Sequence, residues 1–72
     1  MFSQDEINEI RSDLDWHPVS GAPSDIEWTF DQYTAGQIVQ KQYGFDHEQG
    51  LWYCRIHDRS DNEITFQYAE DK

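Results

Sequence analysis

A chain of 72 residues with 36% hydrophobic content can bury one small core, which leaves room for a single domain and excludes an enzyme built around a deep cleft. Fifteen Asp and Glu against five Lys and Arg set a formal net charge of −10, a field that repels phosphate and anionic lipid and so disfavours direct binding to nucleic acid or membrane. One cysteine excludes an internal disulfide, and no apolar run has the form of an export signal or the length to span a bilayer, so a soluble, cytoplasmic chain is expected. Three Trp, four Tyr and four Phe concentrate apolar area in few side chains, which helps so short a chain to fold.

The acidity is uneven. Residues 1–31 carry eight acids against one base, Arg11, for a net of −7, whereas residues 32–72 carry seven acids and four bases, for a net of −3. In the acidic half, Ser3-Gln4-Asp5-Glu6 has the form of a capping box and predicts a helix over about 4–15. Ile7, Ile10 and Leu14 recur at i, i+3 and i+7 as a narrow apolar stripe suited to lie across a sheet, and Asp5, Glu6, Glu9 and Asp13 fall off it toward solvent. Residues 16–24 hold two Pro, a Gly and small residues and read as a connector. Ile26-Glu27-Trp28-Thr29-Phe30-Asp31 alternates apolar and polar, predicting a strand over about 25–31. Ser24 and Glu27 offer a competing capping box, with Ile26, Phe30 and Tyr33 on a helical face; Thr29 and the place of Trp28 on the apolar side favour the strand.

Residues 37–43 form the next expected strand, ending at Gly44. A helix resembling the start of a helix-turn-helix is the competing reading, but no basic recognition helix follows it. Gly44 and Gly50 bracket a polar loop. The chain then closes on a hairpin with strands over about 51–57 and 63–69. Trp52, Cys54 and Ile56 share one face of the first strand, and Ile64, Phe66 and Tyr68 one face of the second; these two stripes are expected to meet. Asp58-Arg59-Ser60-Asp61-Asn62 supplies the turn. The expected class is α+β, an N-terminal amphipathic helix packed on a three- to four-stranded antiparallel sheet. The meander GQIVQK, LWYCRIHD, NEITFQYAED resembles the small SH3-like barrels of Tudor type, which implies a peptide-binding adaptor.

Metal-capable residues occur in Asp46-His47-Glu48 and in His57-Asp58, but their spacing matches no standard site, and no metal or cofactor is expected. Cys54 and His57 stand three apart on one strand, hence on opposite faces, which argues against a nucleophile and its base. With Trp52, Cys54 and Ile56 turned inward, Leu51, Tyr53, Arg55 and His57 are expected to face outward near Phe45 and Tyr43, a mixture typical of binding hot spots. The candidate partner-binding residues are therefore Asp5, Glu6, Glu9, Asp13, Phe45, Tyr53 and Arg55. In its length, acidity and aromatic content the chain resembles the small proteins that bacteriophages make against host machinery, among them RNA polymerase inhibitors and nucleic-acid mimics that disarm restriction or CRISPR nucleases. That resemblance implies a non-enzymatic regulator acting in the host cytoplasm on a protein with a basic surface, RNA polymerase foremost.

Overall fold

The structure, a computed structural model, describes residues 2–34 and 36–71. One helix, α1 (Gln4–Asp13), precedes β1 (His17–Val19), β2 (Thr29–Phe30), a single 3-10 turn (Gln32–Thr34), β3 (Val39–Asp46), β4 (Leu51–Asp58) and β5 (Glu63–Glu70). The strands form one antiparallel sheet in the order β1-β5-β4-β3-β2. The α+β class is as expected, and the sheet has five strands rather than three or four. Its order ends at β1 and β2, so among the described residues it stays open and does not close as a Tudor-type barrel would.

The Ser3 capping box sets where α1 begins: Ser3 Oγ accepts from the Glu6 amide at 3.2 Å, and Glu6 Oε1 accepts from the Ser3 amide at 3.3 Å. Caps of this kind are worth about 1 kcal/mol. At the other end Leu14 turns extended and Trp16 Nε1 donates to the Ile10 carbonyl at 3.2 Å, satisfying one of the last-turn oxygens, so the helix stops at Asp13, short of residue 15. The stripe then docks. Ile7, 1% exposed, packs with Tyr43 of β3 and Cys54 of β4, and Phe2, Ile10, Trp16 and Ile56 surround them. Burying Ile7 alone contributes roughly 1.5–3 kcal/mol.

The hairpin corrects one expectation. Asp58 pairs with Glu63, which leaves a four-residue loop with Asn62 in the left-handed region at φ 57°, instead of a five-residue turn. That single residue changes the parity of every pair: Cys54 opposes Gln67, Trp52 opposes Ala69, and Phe66 opposes Arg55. Trp52, Cys54 and Ile56 therefore lie on the α1 side, while Ile64, Phe66 and Tyr68 lie on the reverse side, because one step of register moves a whole strand's side chains to the other face. The two stripes do not meet. Asp58 fixes this loop by accepting from the Ser60 amide and hydroxyl at 3.0 and 2.7 Å, and these bonds hold its own carboxyl below the usual range.

A sheet apolar on both sides needs two covers, and residues 26–28, in the segment between β1 and β2, supply the second. After β1 pairs with the edge of β5, the chain must reach β2 at the opposite edge. It passes over the reverse face on the way, with Trp28 stacked over the Arg55 guanidinium (4.7 Å) and against Phe66 (6.3 Å). Gly44 lies directly beneath. A Cβ there would collide with Ile26 Cγ2 and come within 3.0 Å of the Glu27 carbonyl, so the close crossing requires glycine inside β3, not at its end. Three boundaries shift for this reason. The strand expected over 25–31 contracts to Thr29–Phe30, since Ile26 and Trp28 face the sheet instead of extending its ladder; the connector contains β1; and β3 runs on to Asp46. Ser24 and Glu27 cap no helix.

Candidate protein-binding surface

The outer side of α1 carries the clearest chemical signal on the molecule. Asp5, Glu6, Glu9 and Asp13 are all exposed, as expected, on a helix whose inner side is held by Ile7. The helix's own base does not neutralise them. Arg11 turns to Asp31, whose carboxylate Oδ2 accepts from Nη1 at 3.0 Å, and its guanidinium lies over the Tyr33 ring at 5.1 Å. Asp31 is 0% exposed and receives two more hydrogen bonds at Oδ1, from Gln4 Nε2 at 2.9 Å and from the Tyr33 amide at 3.0 Å. Gln4 in turn accepts from the Gln32 amide at 2.9 Å. One buried carboxylate thus ties both ends of α1 to the segment after β2 and consumes the cation that would have balanced the helix surface.

Phe45, Tyr53 and Arg55 do not join those acids in one surface. Tyr53 is 6% exposed because residues 26–28 cover its face of the sheet, which corrects the expectation that it points to solvent. Arg55 is half-buried under Trp28, its guanidinium held by Gln42 Oε1, which accepts from Nε at 2.9 Å. Phe45 lies on the α1 side of the sheet, on the face opposite Tyr53, in a string of rings with Trp52 (4.8 Å) and His47 (4.9 Å). Tyr43, expected outside, is in the core. Register and crossing together dismantle the expected aromatic patch.

The remaining reactive side chains are separated. His47 sits in the turn at one end of β4 and His57 with Asp58 at the other, and among the described residues no three His, Cys, Asp or Glu side chains gather to hold a metal ion. Cys54 and His57 lie on opposite faces, as their spacing requires. Burial pushes the Cys54 thiol up to about 11, so it stays protonated and unreactive at neutral pH. Burial, reinforced by the neighbouring Cys54 and Asp31, raises Tyr43 further still. Neither group is poised for acid, base or nucleophilic work near neutrality.

The Asp31 cluster is the part of this surface that residue patterns pass over. Asp31 stands at the polar end of an alternating run and would be assigned to solvent. One signal was present: Arg11 is the lone base among eight acids, and a lone base is drawn to whichever acid is least solvated. Comparison with protein-family models, curated proteins and solved structures finds no match.

Proposed function

We propose that the protein is a non-enzymatic, acidic protein-binding regulator whose α1 face docks on the basic, nucleic-acid-handling surface of a larger protein. Among such partners we favour host RNA polymerase, with transcription blocked in the manner of small bacteriophage inhibitors. The observation that carries this reading is the uncompensated outer side of α1, with Arg11 withdrawn to buried Asp31. A rigid helix presenting charge loses little conformational entropy on docking, and complementary fields speed the encounter.

Charge density separates this from the neighbouring reading, a nucleic-acid mimic that inhibits a restriction or CRISPR nuclease. Four carboxylates on a ten-residue helix give about one charge per ~4 Å of axis. Duplex DNA presents one per ~1.7 Å and a single strand one per ~3.4 Å. The helix approaches one strand and falls well short of a duplex, which favours contact with a basic patch over occupation of a full nucleic-acid channel. Lys41 and Arg59 in the later half weaken a mimic further. A Tudor-like peptide adaptor loses its anchor with Tyr53 covered.

Affinity capture from bacterial lysate at low and high salt, with bound proteins identified by mass spectrometry, tests the proposal. Recovery of RNA polymerase, released as salt rises, is expected. Recovery of a nuclease instead moves the weight to the mimic, and a salt-resistant partner unrelated to nucleic acid overturns both.

A further inference from the structure

The two edges of the sheet are finished differently. In an antiparallel ladder successive residues turn their main-chain groups alternately to one side and the other. The Asp71 amide donates to the Gly50 carbonyl at 3.4 Å, so the odd-numbered residues of β5 turn toward β4. Phe66 and Tyr68 therefore turn toward β1, where they meet Val19 and His17. Pro18 is left facing outward, and having no N–H it closes that edge to further pairing.

The β2 edge is open. The Asp31 amide donates inward to the Lys41 carbonyl at 3.0 Å, and its trans peptide turns the Phe30 carbonyl outward. With Thr29 paired to Tyr43, the same alternation turns the Phe30 N–H and the Trp28 carbonyl outward as well. Among the described residues none of these three groups has a backbone partner. The next outward amide, that of Gln32, is already taken by Gln4 Oε1 at 2.9 Å, so the opening ends there. Neither proline nor charge stands at Trp28-Thr29-Phe30 to blunt it. A hollow of about 360 Å³ lies along this edge, lined by Phe2, Gln4 and Ile7 from the helical side and by Trp28, Phe30 and Gln32 from the strand side, and no charged residue lines it. Phe30 is 39% exposed.

We propose that this edge takes up an extended segment of the partner protein as a sixth strand antiparallel to β2, with an apolar residue opposite Phe30 and Lys or Arg on its flanks. The residue opposite Phe30 exchanges both main-chain hydrogen bonds with it and lays its side chain beside the Phe30 and Trp28 rings, while its neighbours turn toward Phe2 and Ile7. Charge selects the occupant. The chain carries a net −10, and exposed Glu27 adjoins Trp28, so a segment with cationic flanks is drawn to the edge. A second copy would bring another −10 and is repelled. The inference rests on the protein-binding reading only for where the segment comes from.

The test begins with amide hydrogen exchange in the ¹⁵N-labelled full chain. The Phe30 amide should exchange at least about tenfold faster than those of Thr29 and Asp31, which are bonded to β3. Equal protection at Phe30 would mean a covered edge and would overturn the proposal. The chain is then titrated with acetyl-Lys-Thr-Leu-Thr-Lys-amide. Saturable shifts at the Thr29 and Phe30 amides are expected, with slowed exchange at Phe30 and a dissociation constant in the millimolar range. N-methylation of the central leucine removes the donor to the Phe30 carbonyl and should abolish binding, whereas N-methylation of the following threonine, whose N–H faces away from β2, should leave it intact. A version with Glu in place of both Lys should bind about threefold or more weakly at low salt. No saturable binding, equal affinity of the two methylated peptides, or equal affinity of the Glu version would each overturn the assignment. Shifts at Phe30 that grow with protein concentration alone would hand the edge to a second copy instead. A free peptide probes the edge without the large partner, so its failure leaves docking through α1 standing, and failure of α1 docking leaves the edge standing.

Discussion

Replacing Asp31 by Asn keeps the shape of the side chain and removes its charge, at a site where the structure allows the cost to be reckoned. The carboxylate is 0% exposed and accepts from three donors, Arg11 Nη1 at 3.0 Å, Gln4 Nε2 at 2.9 Å and the Tyr33 amide at 3.0 Å. An amide offers one oxygen and one NH₂ in place of two acceptor oxygens. In one orientation the NH₂ confronts the Arg11 guanidinium, and in the other it confronts Gln4 and the Tyr33 amide, so at least one donor is always opposed. Losing a hydrogen bond to a charged group costs about 1.5–3 kcal/mol. Arg11 is 35% exposed and recovers some hydration, which places Asp31→Asn near 2 kcal/mol and below the 3–5 kcal/mol typical of breaking a fully buried pair. Urea denaturation followed by fluorescence of Trp16, Trp28 and Trp52 measures this. In a double-mutant cycle with Arg11→Gln, a coupling of at least ~1 kcal/mol is expected, because the two groups share one contact. A loss under about 0.5 kcal/mol for Asp31→Asn, or no coupling, would refute the claim that Asp31 anchors the helix.

Gly44→Ala should destabilise by roughly 1–3 kcal/mol, since the new methyl meets Ile26 Cγ2 and the Glu27 carbonyl beneath the crossing segment; an unchanged urea midpoint would mean that the crossing is loose. Stability should also fall at alkaline pH. Cys54 is raised in the folded state from its ordinary 9.0 to about 11, so its contribution is whole below pH 9 and is lost as pH climbs through 11, with Tyr43 adding to the loss above pH 10. The Cys54 part is on the order of 2–3 kcal/mol. Cys54→Ala should flatten the decline between pH 9 and 11 in urea titrations, and an equally steep decline in that variant would assign the effect elsewhere.

Local chemistry was legible in the sequence where one residue decides its own geometry. Ser3 and Glu6 mark the start of α1 because both halves of the capping box lie within four residues, and the apolar stripe through Ile7 identifies its buried side. Pairing was less legible, because register turns on the count of turn residues. Asp58-Arg59-Ser60-Asp61-Asn62 reads as a turn of five, yet Asp58 joins the ladder, and that one residue separates Cys54 from Phe66. The second cover of the sheet was hidden for a related reason. Alternation in residues 26–30 is equally the mark of a strand and of a segment laid flat on a sheet with Ile26 and Trp28 turned down, and only Gly44, a distant residue in sequence, distinguishes them. Of the expected site, the four helix acids followed from periodicity, whereas Tyr53 stands on the face expected of it but beneath the crossing segment, and Phe45, paired with Trp52, lies on the α1 side instead of beside Tyr53.

The central claim, that the outer side of α1 docks on a basic partner, is most directly tested by reversing Asp5, Glu9 and Asp13 to Lys together and measuring affinity for purified RNA polymerase across a range of salt. Glu6 is left in place because its carboxylate also completes the cap, so loss of the helix is not confused with loss of charge; circular dichroism verifies that α1 persists. Three reversals replace attraction with repulsion at up to three contacts. At ~0.2–1 kcal/mol for each exposed pair, doubled in effect by the change of sign, affinity should fall roughly 30-fold at low salt. The salt dependence should flatten at the same time. Affinity and salt dependence both equal to those of the parent protein would contradict the account.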